Sequence, residues 1–268
     1  MSTTRSPDGK PLKLSIVVPA HDEERLIVST LEGILTSLKK EGIPFEVIVV
    51  NDACRDNTKA LVEAMQREAP EVRLINRRPP RGFGRAMRSG LAHCTGDVII
   101  PVMADRSEDP RDVIRYYRKI QEGYDCVFGS RFIRGAVVIG YPMHKRIINR
   151  LVNRLLQVLF LTRHNDLTNA FKAYRSPVIR SMMPLEACHF NITIEMSLSA
   201  LVRKYRIASM PIHWNGRTRG GSKLRLGTMT LRYLATLIKV WFKGFLIRNG
   251  IPRPPVTDHQ ARRLNRRR

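Results

Sequence analysis

The sequence predicts an α/β protein with a Rossmann-like, mostly parallel central sheet flanked by helices, and three observations support this. Two short Val- and Ile-rich runs, KLSIVVPA and FEVIVVND, enclose the helical pattern EERLIVSTLEGILTSLKKEG. Two more strand-like runs, VRLINR and DVIIPVM, alternate with helical segments at 58–68 and 84–92. The 268 residues, 43% of them hydrophobic, can supply a sizeable core. Repeated βαβ order with apolar strand runs is typical of buried parallel strands.

Polar residues follow three of the four predicted strands. The segments PAHDEE, NDACRDNT and ADRSEDP all carry acids. Because ligands of such sheets bind at the carboxyl ends of the strands, we expect the three loops to converge on one crevice. The glycine-rich segment RGFGRAMRSG matches neither GxGxxG nor a P-loop, so it indicates a tight turn into a helix rather than a dinucleotide site.

Two later segments predict amphipathic helices. Residues 144–162 place cations and Asn153 near one side and an apolar face opposite, a face that core packing alone could also explain. Within 226–250, four polar residues recur at i, i+4, i+7 and i+11: Arg232, Thr236, Lys239 and Lys243. We expect this second helix to lie in a membrane interface with its seam near lipid headgroups. Burial of the seam against the protein body or a partner is the alternative, and three cations disfavour a membrane span.

Charge and cysteine usage narrow the classes of function. The formal charge is +24, and residues 201–268 hold 17 Lys or Arg against one acid. We expect a flexible N-terminus at 1–12 and a basic tail at 251–268. Such a tail either attracts a polyanion, whether nucleic acid, anionic lipid or acidic substrate, or only solubilises the chain, so charge alone does not name the partner. Among these partners we expect anionic lipid and no nucleic acid. No secretory signal is visible, and the four separated cysteines disfavour a zinc cluster or disulfide framework. A peripheral protein on the cytoplasmic face of a membrane is the expectation.

Seven motifs occur in an order and spacing that resembles family 2 glycosyltransferases, more narrowly the dolichol-phosphate mannose synthase and polyprenyl-phosphate glycosyltransferase branch. They are VVPAHDEE, NDACRDNT, GFGRAMRSGL, MADRSEDP, VFGSRF, DLTNAFKAYR and NGRTRGGSKL. The resemblance implies a catalytic domain over 13–225 with the GT-A fold that binds nucleotide sugars. It also implies transfer of a sugar from GDP-mannose or a UDP-hexose to polyprenyl or dolichyl phosphate.

The resemblance also implies a donor site and a cation site. The implied donor contacts are Pro19, Ala20, Glu23, Asp52 and Asp105. Met103 stands where many members have a second Asp, and a thioether is a poor ligand for a hard cation, so we expect Met103 to pack. Asp105 would then hold Mg²⁺ or Mn²⁺ with donor phosphates and water.

Three neighbours of Asp105 are candidate supports for the cation: Ser107, Glu108 and Asp109. Asp109 is also predicted to be the N-cap of a helix that Pro110 begins, because Asp is a favoured N-cap residue and Pro a favoured first helical residue. Capping and support of the cation are compatible.

Several cations match positions that contact phosphates in the family. The implied catalytic residues are Asp105, Arg131, Arg217 and Lys223. The implied acceptor-phosphate contacts are Lys145, Arg146 and Arg217. Cations around two phosphate groups offset their repulsion during transfer, although any one of them is alternatively a surface charge. An acceptor phosphate is already ionised at neutral pH, so it can attack without a strong general base, and we expect inversion at the sugar carbon.

Two other functions compete with this one. The first is transfer to a non-lipid hydroxyl, such as a glycan. The second is a catalytically weakened protein that keeps nucleotide-sugar or membrane binding, for which Met103 is the main support. The QxxRW motif typical of processive polysaccharide synthases is absent from the sequence, which disfavours that class.

Overall fold

The computed structural model describes residues 11–216 and 226–248 and contains the predicted alternation of strands and helices. The elements of the first half are β1 (Leu14–Ala20), α1 (Ile27–Lys40), β2 (Phe45–Asp52), α2 (Thr58–Glu68), β3 (Val72–Arg77), α3 (Phe83–Leu91), β4 (Val98–Pro101) and α4 (Pro110–Gln121). Those of the second half are β5 (Cys126–Ser130), β6 (Val137–Ile139), α5 (Met143–Leu159), β7 (Lys172–Arg175), α6 (Ser176–Met182), α7 (Ile192–Val202), β8 (Ile207–Pro211), β9 (His213–Asn215) and α8 (Leu226–Arg248).

Seven strands of the described chain form one sheet in the order β3-β2-β1-β4-β7-β5-β8. The pairs β1–β2, β1–β4 and β2–β3 are parallel, as the sequence predicts. The strand β7 lies antiparallel between β4 and β5, and β8 pairs in parallel with β5. The short strands β6 and β9 form a separate parallel pair.

Helices cover both faces of this sheet. One face packs against α1 and α4, and the other against α3, α6 and α7. Every residue of β1 is buried, as expected for a parallel strand covered on both faces. The polar ends of β1, β2 and β4 therefore emerge at one edge, above a continuous apolar core.

The predicted cap of α4 is confirmed. Asp109 Oδ1 accepts the backbone N–H of Arg111 at 2.8 Å, and Pro110 is the first helical residue. A carboxylate at this position satisfies a helix N–H that has no partner within the helix. The cap fixes the point where the acidic loop after β4 turns into α4.

The apolar face of α5 is exposed, so core packing does not explain it. Asn153 and Leu156 are its buried residues. The exposed large apolar residues of α5 are Met143, Ile147, Ile148, Leu151, Val152, Leu155, Val158 and Leu159. The side that contacts the protein carries Asn153, while Arg150 and Arg154, which the pattern places near Asn153, are exposed.

The seam of α8 is only partly buried against the protein body, because Arg232 and Lys239 are exposed and Lys243 is half-buried. Thr236 is buried and accepts a hydrogen bond from Asn191 Nδ2 at 2.9 Å, while Lys239 and Lys243 both reach the carboxylate of Glu186. Both lysines therefore have a carboxylate partner on the protein, and the expected placement of the seam near lipid headgroups stays a prediction. The exposed large apolar residues of α8 are Leu234, Ile238, Trp241, Phe242 and Phe245.

Across the described ranges, no helix is both long enough and apolar enough to cross a membrane. Four predictions concern residues outside the described ranges: the flexible N-terminus up to residue 10, the roles of Arg217 and Lys223, and the basic tail at 251–268.

Candidate active site

The loops after β1 and β2 are hydrogen-bonded to each other, which confirms that they converge. The backbone N–H of Glu23 donates to Thr58 Oγ1 at 2.9 Å, and that of Arg55 donates to Asp22 Oδ1 at 2.8 Å. These bonds join the two loops directly above the carboxyl ends of their strands. The result is a fixed wall on one side of the crevice.

The predicted donor residues line this wall. Pro19 and Ala20 are buried at the end of β1, and Glu23 is half-buried in the loop that follows. Asp52, the buried last residue of β2, accepts hydrogen bonds from the Arg77 guanidinium and from the backbone N–H of Gly82, the latter at 2.7 Å. Its carboxylate thus holds β2, β3 and the turn into α3 together.

A small cluster of polar side chains closes the same two loops. The ligand-type atoms of His21, Asp22 and Cys54 all lie within 4.8 Å of one another. The Cys54 thiol accepts the N–H of Asp22 at 3.3 Å and donates to the carbonyl of Ala20 at 3.4 Å. Burial raises the pKa of Cys54, so the thiol keeps the proton that it donates. The cluster of His21, Asp22 and Cys54 therefore joins the loops after β1 and β2 through hydrogen bonds.

The acidic loop after β4 brings two carboxylates together. Asp105 is half-buried, and its Oδ1 accepts the N–H of Ser107 at 3.1 Å. Glu108 is buried and accepts the N–H of Met103 at 3.1 Å. Burial, and then the negative charge of Asp105, raise the pKa of Glu108 to about 8. The folded protein therefore holds a proton on Glu108 at neutral pH.

These residues fit a hard divalent cation. Carboxylate and hydroxyl oxygens are the ligands that Mg²⁺ and Mn²⁺ prefer, and a cation would relieve the repulsion that raises the pKa of Glu108. Ser107 and Glu108 remain candidate supports for Asp105. Asp109 caps α4 and both of its oxygens accept hydrogen bonds from Arg111, so its support of the cation stays a prediction.

Arg131 lies on the other side of the acidic loop after β4. Asp166 and three aromatic rings surround its guanidinium, and we call this arrangement the cage. Its Nε and Nη2 each donate to Asp166 at 2.8 Å, and its backbone N–H also donates to that carboxylate. The guanidinium carbon lies 5.3 to 5.9 Å from the ring centres of Phe132, Tyr141 and Trp214. Burial alone would lower the pKa of Arg131, but Asp166 raises it above the ordinary value. The Arg131 guanidinium therefore stays charged, and its two hydrogen bonds to Asp166 fix its orientation.

Strand β9 links this cage to the acidic loop. Glu108 and Trp214 form an isolated antiparallel bridge, and Asn215 donates its N–H to the carbonyl of Ser107 at 2.9 Å. The ring of Trp214 also lies 5.1 Å from that of Tyr141. The structure therefore brings the predicted residues Asp105, Glu108 and Arg131 to one region.

The first turn of α5 extends the same region. Lys145 and Arg146 are half-buried there. Burial raises the pKa of Tyr141, whereas the positive charges of Arg131 and Arg146 lower it. Arg131 and Arg146 therefore both lie near the Tyr141 phenol. The N-terminal end of α5 is thus next to the cage, as the acceptor-phosphate prediction requires.

Sequence reasoning missed the residues that hold Arg131. Asp166 and Thr168 lie in the DLTNAFKAYR segment, for which we predicted no contact with Arg131, and Lys172 of the same segment supports the loop that they belong to. The buried Lys172 ammonium donates to the carbonyls of Leu167 and Asn169, and burial lowers its pKa to about 7. The available signal was Asp166, a single acid shortly before the short strand β7. Its partner Arg131 lies 35 residues earlier, so the sequence near Asp166 did not indicate the pair.

Comparisons with known proteins agree with this geometry. The sequence model of Glycosyl transferase family 2 matches residues 15–182. Undecaprenyl-phosphate 4-deoxy-4-formamido-L-arabinose transferase of Shewanella sediminis is 30% identical over 213 residues, covering 78% of this chain and 61% of that protein. Dolichol-phosphate mannosyltransferase of Pyrococcus furiosus is 26% identical, covering 85% and 64%. The chain thus spans less than two thirds of the length of either relative.

Solved structures share the fold. Glucosyl-3-phosphoglycerate synthase from Mycobacterium tuberculosis, in complex with Mn²⁺, UDP and phosphoglyceric acid, superposes with a TM-score of 0.67 at 22% identity, covering 85% of this chain and 78% of that one. A complex of the same enzyme with Mg²⁺ and UDP gives 0.66 at 21% identity, covering 90% and 81%. At this identity the likeness concerns the fold alone. The family match, in contrast, extends over more than half of the sequence, and the chain belongs to glycosyl transferase family 2.

Proposed function

We propose that the protein transfers a sugar from a nucleotide-sugar donor to a polyprenyl phosphate at a membrane surface. The observation that carries the proposal is the position of α5. Its first turn lies beside Arg131 and Tyr141, and the rest of the helix exposes a run of apolar side chains. A lipid phosphate has the matching shape, with an anionic head for the site and an isoprenoid chain for the helix. The names of the two relatives supply the same substrate class.

The donor would bind at the wall formed by the loops after β1 and β2. Pro19, Ala20 and Glu23 would line the nucleotide pocket, and Asp52 would contact the base while its bonds to Arg77 and Gly82 keep the carboxylate in place. GDP-mannose and UDP-hexoses are the donors that we propose to test first.

Asp105 would hold Mg²⁺ or Mn²⁺ beside the donor diphosphate, with Ser107 and Glu108 in support. When bound, the cation would neutralise charge that develops on the leaving diphosphate. Glu108 must lose its proton to join it, because a protonated carboxyl is a poor ligand. The contribution of the chain is to place two carboxylates where that charge forms.

Arg131, Lys145 and Arg146 would hold the acceptor phosphate. Two of the three nitrogens of Arg131 are committed to Asp166, so its main contribution is an oriented positive charge rather than a flexible clamp. Arg217 and Lys223, outside the described residues, are proposed to complete this cluster. Because the ionised phosphate is itself the nucleophile, we propose direct attack with inversion at the sugar carbon.

The exposed apolar faces of α5 and α8 are proposed to lie in the membrane interface. Trp241, Phe242 and Phe245 carry aromatic rings of the kind that favour this zone, and Arg150 and Arg154 are exposed cations on α5. The four cysteines are free thiols, which supports the cytoplasmic face.

A donor-by-acceptor panel tests the proposal. Purified full chain is incubated with Mg²⁺ or Mn²⁺, radiolabelled nucleotide sugars and polyprenyl phosphate, and label is counted in the lipid extract. We expect lipid-linked sugar of inverted configuration with at least one donor. Asp105→Asn should lower turnover at least about a hundredfold while Tm stays within about 2 °C of wild type.

Four outcomes would overturn parts of the proposal. Label in a water-soluble glycan would point to a hydroxyl acceptor, and donor binding without transfer would indicate a binding protein. A product with retained configuration would exclude direct attack by the phosphate. Near-normal turnover in Asp105→Asn would remove the cation from this carboxylate.

A further inference from the structure

A narrow polar strip attaches α5 to the protein. Within α5, which the structure describes in full, Asn153 and Leu156 are the buried residues, while eight large apolar residues are exposed. One leucine removes little apolar area from water, so the hydrophobic effect alone fixes the helix weakly. The hydrogen bonds of the strip must therefore decide where α5 docks.

Asn153 uses both ends of its amide. Its Nδ2 donates to the Asn149 carbonyl at 2.9 Å and to Thr168 Oγ1 at 3.0 Å, and its Oδ1 accepts the N–H of Leu167 at 2.7 Å. The side chain is 1% exposed. Water cannot replace these partners in a buried place, so losing them would leave polar groups unsatisfied on both the helix and the loop.

The loop bound by Asn153 is the one that holds Arg131. Asp166 directly precedes Leu167, and the Thr168 hydroxyl lies 3.4 Å from Asp166 Oδ1 and 3.5 Å from Arg131 Nη2. Both contacts belong to the ion pair in the cage. A shift of the Asn153 amide would therefore be transmitted to the guanidinium within two hydrogen bonds.

A second route reaches the cage from the helix side. The Asn149 carboxamide accepts the Thr168 hydroxyl at 2.9 Å and also hydrogen-bonds the phenol of Tyr141. The ring of Tyr141 covers Arg131 at 5.3 Å. The strip thus contacts Arg131 through its carboxylate partner and through one of its aromatic walls.

We propose that Asn153 is a positioning residue that locks α5 to the Asp166–Thr168 segment and so sets the orientation of Arg131. The inference rests on the proposed function for its kinetic consequence. On this proposal α5 and Arg131 are coupled. The docked position of α5 determines whether the Arg131 guanidinium is oriented toward the acceptor phosphate.

The test compares two substitutions on the same face of α5. Asn153→Leu replaces the amide by an apolar group of similar size, whereas Leu156→Ala removes the buried apolar contact and keeps the amide network. We expect Asn153→Leu to lower kcat at least about tenfold with an unchanged KM for the donor. Leu156→Ala should lower Tm but keep kcat within about twofold of wild type. Equal kcat losses in the two variants, or a near-normal kcat in Asn153→Leu, would overturn the proposal.

A fluorescence measurement tests whether Asn153 positions the cage and does not depend on an activity assay. The chain has two tryptophans, so Trp214 alone reports on the cage in a Trp241→Phe background. We expect Asn153→Leu to shift the Trp214 emission and Leu156→Ala to leave it unchanged. If Asn153→Leu does not fold, the nearly isosteric Thr168→Val, which cuts the same link, should give the shift. An unchanged emission means that Asn153 does not position the cage, whereas a shift in a protein without transferase activity would contradict only the proposed function.

Discussion

Met103 donates its backbone N–H to the carboxylate of Glu108 at 3.1 Å, so the loop after β4 closes around a buried acid. Met103, which stands where many family members have an Asp, thus holds the Glu108 carboxylate through its backbone. Since Asp105 lies in the same loop, the two acids share one small region, and burial, followed by the charge of Asp105, raises the pKa of Glu108.

Glu108→Gln should change how stability depends on pH. The unfolded chain ionises Glu108 near 4.5, while the folded protein holds its proton to about pH 8. Between these values the native state binds one proton more, so its free energy of unfolding falls by about 1.4 kcal/mol per pH unit. Glutamine does not titrate, so the stability of the variant relative to wild type should rise from pH 5 to 8 in urea titrations. A difference that is constant over this range would contradict the raised pKa.

Addition of Mn²⁺ should raise the Tm of the wild-type protein. A ligand that binds only the folded state at a hundredfold excess over its Kd adds about 3 kcal/mol to the free energy of unfolding. The increase should disappear in Asp105→Asn and persist in Asp109→Asn, since Asn is an equally good helix cap. The opposite result for the two variants, followed by differential scanning fluorimetry, would move the cation site to Asp109.

The pair of Arg131 and Asp166 should behave as a coupled unit. Removing one partner of a buried ion pair costs about 3–5 kcal/mol because the other charge is left without compensation. We therefore expect Arg131→Met and Asp166→Leu each to destabilise the protein by that amount, and the double variant by clearly less than the sum. Urea unfolding of the four proteins measures the coupling, and additive losses would show that the two charges act independently.

The aromatic face of α8 should govern binding to lipid vesicles. We expect Trp241→Ser combined with Phe242→Ser to lower partition onto anionic vesicles at least about tenfold in a sedimentation assay. The matched control is Lys239→Gln combined with Lys243→Gln, which should have a small effect because both lysines pair with Glu186. If the lysine variant loses binding and the aromatic variant keeps it, the interface has been assigned to the wrong side of the helix.

Local patterns in the sequence were sufficient to predict the donor half of the fold. The continuous apolar runs of β1 and β2 are typical of strands covered on both faces, and the alternating helices left parallel pairing as the simplest connection. The cap at Asp109 followed from two adjacent residues. These features depend on neighbours in the chain, which is why they could be inferred.

Contacts between distant segments were beyond such reasoning. The pairing of Arg131 with Asp166 joins residues on separate elements, and nothing near either residue specifies the other. Periodicity also separated the polar and apolar faces of α8 but gave no information on which face the protein covers. The structure pairs Lys239 and Lys243 with Glu186 and buries Thr236, and none of these partners is near α8 in the sequence.

The antiparallel strand β7 sets an order of assembly. Its residues join β4 to β5, whose strand neighbours in the sheet are β7 and β8. On a ribosome the first four strands can pair soon after they emerge, whereas β5 must wait until residue 175 has been synthesised. The wall formed by the loops after β1 and β2 can therefore form early in the life of the nascent chain. The cage around Arg131 is completed late, after α5 has already been synthesised.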